Sequence, residues 1–581
     1  MRFSLQKRWL LQPCDDDIAR HLEGQLGISP VLARLLAQRN IRDVEAAERF
    51  LQPSLAHLPE PELLLGMDKA VARLLRALRE KEKIVIYGDY DVDGTTATAL
   101  LTEFFQDLGA SVDYYIPHRL REGYSLNAEA LRKIRDQGAR VVITVDNGIS
   151  AVAEAQVARE LGLDLIVTDH HEPPPRLPEA FAILNPKQSG DKFPGKELAG
   201  VGVAFYLLIA LRKALREAGL LGDREPNLRR ALDLVAVGTV ADMAPLTGVN
   251  RILVREGLKV LSRSERPGLK ALKEVAGVDG EVSADQVGFR LGPRINAVGR
   301  LDDAAFGVKL LLSRNEAEAM ELARRLDQAN AERQDLEDEI AREACAQVEA
   351  ERLFERRRSL VLFHEGWHPG VVGIVASRLV EKYYLPSIVL SRDKDGWKGS
   401  ARSIRNLNLV ETLRDCGEHL SKFGGHFYAA GLSLARERLE AFSEAFDAAV
   451  RSRLKDEDFR PSLKLDVDSR LAAIDAELLE EIRRLAPFGL GNPEPVLLLS
   501  GLKVRESRVV GEKHLRLRVG EGRSGLGAIG FRLADKIPPL DSEVDVACVP
   551  GWNEWNGSKN IQLRIIDLRP SESNATRKKE Y

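Results

Sequence analysis

Between Lys83 and about residue 185 the apolar positions fall into short β-branched runs separated by stretches of helical spacing. KIVIYGD, SVDYYIP, VVITVD, LDLIVTD and FAILN read as buried strands, with NAEALRKIRDQG and SAVAEAQVARELG as helices between them. This alternation predicts a mostly parallel, doubly wound sheet. Residues 1–70 read as short helices with polar breaks, and 226–262 as mainly helical. From 314 to 356 the chain is densely charged, has apolar residues at helical spacing and contains no Gly or Pro. One long helix is predicted there, bridging two domains or capping a groove. A coiled-coil arm is the alternative, although the a and d positions are not cleanly apolar.

A second α/β unit follows: SLVLFHEGW, VVGIVASRLVEKY and PSIVLSRD read as strand, helix, strand. From about 460 the pattern changes to short strands with polar turns. PVLLLSGLKVRESRVV, HLRLRVG, LGAIGF, VDVACVP and IQLRIIDL suggest a small β-barrel of the OB type. The expected fold is therefore a multidomain α/β chain: two α/β domains joined by a long helix, then a barrel. The boundaries drawn are an N-terminal helical segment 1–70, a parallel-sheet domain 71–265, a connector with the long helix 266–356, a second α/β domain 357–455, a barrel 456–570 and a disordered tail 571–581.

A chain of 581 residues is too long for one core. Its 44% hydrophobic and 30% charged content is that of an ordinary globular protein. With 85 basic and 88 acidic residues the net charge is −3, which argues against a basic coat but leaves room for a local basic channel. Cys14, Cys345, Cys416 and Cys548 are scattered, giving neither a zinc motif nor a disulfide framework, as suits a reducing cytoplasm. The N-terminus lacks the apolar core of a signal peptide, and no apolar run approaches a membrane span.

The chemistry concentrates at strand ends. GDYDVDG follows KIVIY and carries Asp89, Asp91 and Asp93. It resembles the front of a calcium hand, but the ninth and twelfth loop positions are Ala97 and Leu100, and a strand precedes it. Asp146 follows VVITV, Asp169, His170 and His171 follow LDLIVT, and Asp242 lies in LVAVGTVADMAPL. In a parallel sheet these ends share one edge. Such a cluster would hold some carboxyls protonated unless divalent cations neutralised it. Mixed carboxylate and imidazole ligation suits Mn²⁺, with Mg²⁺ possible, and a metal pair is a device for phosphoryl hydrolysis. Taken singly, any of these aspartates is as well explained as a turn or helix cap.

DHH at 169–171, DYDVDG and DNG resemble the DHH phosphoesterase family. PHRLREGYSLN, RINAVGRLDDA, GWHPGVVGIVASRL, FGGHFYAAGL and LAPFGLGNPEP resemble its RecJ-type branch of single-strand-specific exonucleases, over about residues 50–570. The resemblance implies a two-metal 5′-to-3′ exonuclease releasing 5′-mononucleotides, working in recombination and repair. Its domains would be a DHH domain, a DHH-associated domain and an OB-fold domain.

Carried over residue by residue, the resemblance makes Asp91, Asp93, Asp146, His170 and Asp242 metal ligands, with Asp146 bridging. Asp89 would bind a metal or orient water. Asp169 would orient its neighbours, and His171 would polarise the scissile phosphate or support a ligand. Tyr87 stands where many relatives outside the nuclease branch have a ligand His. In the DHH-associated domain, Ser400 and Arg402 of GSARS, with Arg119, are expected to capture a terminal 5′-phosphate. Gly424 and Gly425 would allow close approach of a substrate, His426 would donate to the scissile group, and Arg294 would contact substrate. In the barrel, Lys503, Arg505, Arg508, Lys513, His514, Arg516 and Arg518, with Trp552 and Trp555, form either a single-strand-binding surface or a solvated strand face. Single-stranded DNA, a RecQ-type helicase and a single-strand-binding protein are the implied partners of a cytoplasmic monomer.

Overall fold

The computed structural model describes residues 6–571 except 119–121, 124, 222–224, 302, 395 and 556–557, and omits the side chains of Leu301 and Trp555. Arg119, the Trp555 ring and the tail beyond Ser571 thus lie outside the described residues. By internal contacts the chain forms two compact units, one of residues 11–327 with 464–581, the other of residues 328–463 with the segment ending at Leu10.

In the first unit five strands form one parallel sheet: β1 (Lys83–Tyr87), β2 (Val112–Tyr115), β3 (Ala139–Val145), β4 (Asp164–Thr168) and β5 (Ala182–Leu184). Their spatial order is β2-β1-β3-β4-β5. The chain therefore steps one way from β1 to β2 and the other way from β1 to β3. The gap between the carboxyl ends of β1 and β3 is the topological switch point, where open α/β sheets bind ligands.

Helix α1 (Val92–Asp107) follows β1 and is buried over nearly its whole length, as its Thr, Ala, Leu and Phe content allows. It starts within GDYDVDG itself. Asp91 is its N-cap, accepting from the Gly94 amide at 3.0 Å, which brings Asp93 into the first turn. Helices α2 (Gly200–Glu217) and α3 (Leu232–Ala241) pack against α1.

Helix α4 (Glu316–Ala350) begins in this unit and ends in the other, as one continuous element of 35 residues. In the second unit its Ile340, Ala344 and Val348 pack on β6 (Leu360–His364) and helix α5 (Val372–Tyr383). The sheet there runs β9-β10-β8-β7-β6, with β7 (Ser387–Asp393), β8 (Gly396–Arg402), β9 (Lys422–Gly425) and β10 (Ala429–Ala435). Only β6 and β7 pair in parallel.

The C-terminal strands are β11 (Leu497–Val510), β12 (His514–Glu521), β13 (Ser524–Gly530), β14 (Glu543–Trp555) and β15 (Ser558–Pro570). They pair in the order β11-β12-β13-β15-β14, and β14 returns to β11, closing a five-stranded barrel. The parallel β13–β15 pair gives it OB topology.

The sequence pattern does not reveal that the N-terminal helices share the barrel's core. Leu22, Leu32, Leu36 and Leu51 pack in one cluster with Leu478, Ile482, Leu497, Leu499, Val546 and Leu563. Each such leucine contributes about 1.5–3 kcal/mol of burial. Arg251 pins this assembly to the parallel-sheet region. Only 2% exposed, it donates to the carbonyls of Phe50 (3.1 Å), Leu485 (2.7 Å) and Arg484 (3.2 Å) and lies over the Phe50 ring. Burial pulls its pKa down to about 9. Replacing it strands three carbonyls that a thioether cannot satisfy. Arg251→Met is expected to destabilise this unit by about 2–4 kcal/mol in urea unfolding and to speed proteolysis between residues 10 and 60; unchanged curves would refute the pinning role.

Candidate metal centre and nucleic-acid face

The predicted acids converge at the switch point. Asp89, Asp91 and Asp146 bring carboxylate oxygens within 4.8 Å of one another; so do Asp93 and Asp242 with His170, and Asp146 with His170 and His171. Asp146 thus takes part in two groupings. His170 Nε2 lies 3.1 Å from Asp146 Oδ1, 3.8 Å from Asp242 Oδ2 and 4.0 Å from Asp93 Oδ2, without hydrogen-bond geometry. A hydrogen bond to the Leu198 backbone steadies the ring.

Local chemistry explains each placement. Asp146 ends β3 in a left-handed conformation (φ 61°), a cost of order 1–3 kcal/mol for a non-glycine residue. The turn is braced by its amide on Thr168 O (3.0 Å), by Asn147 Nδ2 on Val145 O (2.9 Å) and by Thr144 Oγ1 on Asn147 O (2.8 Å). Asp242 caps the C-terminal end of α3, where the helix dipole disfavours a carboxylate. Asp93 is buried in the first turn of α1 and accepts from the amides of Gly200 and Val201.

Burial first, and mutual repulsion second, push these carboxyls up. Asp93 rises to about 7 and Asp242 to about 9, and Asp146 is well above the ordinary carboxylate range. Burial, with the neighbouring His171, pulls His170 down to about 4, so its ring is neutral near pH 7. Protonated acids around a neutral imidazole are what a divalent cation would replace. The donor set fits such an ion.

Asp169 differs from its neighbours. Its oxygens accept from the amides of Ile149, His170 and His171 and from His171 Nδ1 at 2.7 Å. Burial opposes ionisation, but these bonds hold its pKa below the ordinary value. His171 is raised: burial alone would lower it, and the Asp169 bond and charge outweigh that. Asp169 is thus an orienting group and His171 a cation-favouring imidazole at the mouth of the cluster.

Tyr87 is not placed to ligate. Its hydroxyl donates to Ser125 O and accepts from Asn127 Nδ2. Arg294 is braced within its own domain, by Nε to Asp327 Oδ1 (2.8 Å) and Nη1 to Arg290 O (2.7 Å). The Gly200 and Val201 amides were not anticipated; G-x-G at the start of a helix, in AGVGVAF, was the available signal.

In the second unit Ser400 and Arg402 lie on one face of β8 and abut the first turn of α5. A Cβ built on Gly373 would meet Ser400 Oγ at 3.2 Å and Arg402 Nη2 at 3.1 Å. Burial lowers the Arg402 pKa, and its guanidinium donates to the Ala401 carbonyl. Adjacent in the sheet, β10 pairs with β8 and β9, so the GGH hairpin flanks GSARS. Gly425 is needed there, because a Cβ would stand 2.3 Å from Ala429 O. Gly424 and His426 are exposed at the hairpin end.

On the barrel, Arg508, Arg516, Ile529 and Arg564 are opposite one another across four strands; in the next row Arg518 stands between Glu506 and Gly527, and Gln562 opposes Gly527. Placing Arg508 against Arg516 is unfavourable without an anion. Several basic residues are engaged: Arg564 with Glu494, Lys503 with Asp541, Arg505 with Gly522 O and His514 with the Arg532 amide. Trp552 packs against the barrel core with Lys559 over its ring, so it is not a presented stacking surface.

Comparison with known proteins agrees with this geometry. Residues 83–239 match the DHH family N-terminal domain, 357–452 the DHHA1 domain and 465–567 the RecJ OB domain. The Bacillus subtilis single-stranded-DNA-specific exonuclease RecJ is 43% identical, over 97% of this chain and 71% of that protein. The Escherichia coli RecJ is 40% identical, over 94% and 96%. The crystal structure of Thermus thermophilus RecJ in complex with Mn²⁺ superposes with a TM-score of 0.84 at 34% identity, covering 97% of this chain and 80% of that one; a Mg²⁺ complex of the same protein also matches. The parallel-sheet site, the second α/β unit and the OB barrel occur here in one chain with these relatives' order, and the chain belongs to the RecJ family of DHH phosphoesterases.

Proposed function

We propose that this chain is a single-strand-specific exodeoxyribonuclease that hydrolyses DNA from the 5′ end and releases 5′-mononucleotides with a pair of Mn²⁺ or Mg²⁺ ions. The observation that carries the reading is the meeting of five ionisable aspartates and two imidazoles at the switch point. Asp93, Asp242 and His170 are assigned to one ion, Asp89 and Asp91 to the other, and Asp146 to both. Bound there, the ions supply Lewis-acid stabilisation of charge at phosphorus and a more acidic water.

The chain's own groups do the rest. Asp169 fixes the His171 tautomer and favours its cationic form, so His171 is suited to donate to a phosphate oxygen. Ser400 and Arg402 take the terminal phosphate, Arg by a charge-assisted bond. Arg119, Arg294, Gly424, Gly425 and His426 remain proposed substrate contacts. The arginine rows of the barrel follow the backbone of the trailing strand. A role in DNA recombination and repair goes with this activity, as do a cytoplasmic location and a RecQ-type helicase and single-strand-binding protein as suppliers of substrate. No helix among the described residues is long and apolar enough to cross a membrane.

Three outcomes are expected. Asp146→Ala should lower nuclease turnover by about a thousandfold or more on 5′-labelled single strands in Mn²⁺; retained activity would remove the centre from the mechanism. Arg402→Ala should cost about tenfold to a hundredfold on 5′-phosphorylated ends and little on 5′-hydroxyl ends; equal losses would defeat the phosphate assignment.

The third concerns pH. Asp93, Asp146 and Asp242 have folded-state pKa values above their unfolded ones. The metal-free fold therefore retains protons that the unfolded chain releases, and it loses stability as pH rises from the ordinary carboxylate range towards 9. Melting in EDTA should show a midpoint falling from pH 5 to pH 8, while the rise produced by Mn²⁺ grows over the same range. A metal-free midpoint that climbs with pH would contradict it.

A further inference from the structure

Asp93 is wholly buried and held by groups without formal charge. Its Oδ2 accepts from the Gly200 amide at 2.7 Å and its Oδ1 from the Val201 amide at 2.8 Å. Both amides belong to the first turn of α2, a helix of 18 residues. That end carries about half a positive charge. Gly200 also faces Asp146, for a Cβ there would stand 2.8 Å from both Cβ and Oδ1 of Asp146. One residue thus donates to one carboxylate and leaves room for another.

A second glycine stands near Asp93. Gly238 lies inside α3, where glycine costs about 0.5–1 kcal/mol relative to alanine. A Cβ at this position would stand 2.3 Å from Thr96 Oγ1, 2.8 Å from Val201 Cγ1, whose residue's amide holds Asp93, and 3.0 Å from Asp93 Oδ1. Thr96 has little freedom to yield: it is buried, and its hydroxyl bonds to Val92 O (2.8 Å) and Asp93 O (3.0 Å) in the same turn of α1. A methyl group at 238 therefore pushes on the turn that carries Asp93.

We propose that Gly200 and Gly238 are positioning residues for the divalent-ion centre, setting how closely α2 and α3 approach the carboxylates. The inference rests on the metal-centre reading above and assigns the two glycines different reach. Gly238 touches Asp93, which groups with His170 and Asp242. Gly200 touches both Asp93 and Asp146, and Asp146 belongs to the other groupings. Gly238 acts on one ion site; Gly200 acts on both.

Mn²⁺ titration of the metal-free full chain by calorimetry tests this. Gly238→Ala should weaken one of two sites by about tenfold or more and leave the other within about twofold. Gly200→Ala should weaken both. Removing the obstructing hydroxyl, in Thr96→Ala/Gly238→Ala, should recover part of the lost affinity. Lower melting midpoints in EDTA with unchanged Mn²⁺ isotherms would make the glycines merely structural and overturn the proposal, as would a double variant no better than Gly238→Ala. If Gly200→Ala does not fold, the Gly238 arm decides alone. A wild-type chain that binds no Mn²⁺ would sink the metal-centre reading together with this inference; a two-site wild type with unmoved glycine variants would sink the inference only.

Discussion

The constraint on which this structure turns is the repulsion among carboxylates gathered at one sheet edge. Asp89, Asp93 and Asp146 are each at most 3% exposed. Water can screen them little, and burial adds to the cost of charge. Without cations the cluster answers by holding protons, as the upward shifts of Asp93, Asp146 and Asp242 express. Divalent cations turn the same burial from a cost into affinity, because desolvated carboxylates bind a cation more strongly than hydrated ones. The left-handed backbone at Asp146 fits this account. Strain at that residue persists because the hydrogen bonds of Thr144 and Asn147 over-determine the turn.

The scaffold divides the labour by type of hydrogen bond. Asp169 spends its oxygens on three amides and one imidazole and stays ionised. Asp93 is held by only two amides and sits among other acids. One DHH aspartate is thereby an internal orienting group, while the upstream aspartates keep the proton affinity that a cation displaces. His170 and His171 are separated in the same way. His170 is neutral and faces the carboxylates, whereas His171 is bound to Asp169 and favours the cation. Adjacent residues of one type acquire opposite electrostatic characters from their partners alone.

Much of this was legible in the chain. The five parallel strands and the five barrel strands show as β-branched runs, because strands in a sheet interior or barrel wall must be apolar with period or continuity. The acids and DHH were legible because they follow those runs directly, and the sheet's topology forces strand ends together. What stayed hidden depends on tertiary approach. Gly200 and Gly238 matter through Asp146, Thr96 and Asp93, which are remote in sequence. The union of the N-terminal helices with the barrel rests on Leu22 or Leu36 meeting Leu497, which no local period encodes. The bonds that hold Arg294, to Asp327 and to the Arg290 carbonyl, are likewise invisible in its motif. The start of α1 at Val92 was obscured because Asp91 serves as cap and candidate ligand together.

The proposed path of a polyanion over the barrel has to be reconciled with a net charge of −3. A protein coated in lysine would bind any nucleic acid, with affinity set by salt. Here Arg508, Arg516 and Arg564 stand in one row across strands, and Arg518 stands in the next beside Gly527. Acidic residues reach these rows as well as other basic residues: Arg564 pairs with Glu494 and Arg518 stands opposite Glu506, while Lys503 pairs with Asp541 and Lys536 with Asp567. Successive strands are about 4.8 Å apart, so guanidinium groups of one row fall within reach of neighbouring phosphates. The Arg508–Arg516 pair carries a repulsion that a bound anion would relieve. Locality of charge, rather than its total, is what the proposed single-strand-binding role of this surface requires.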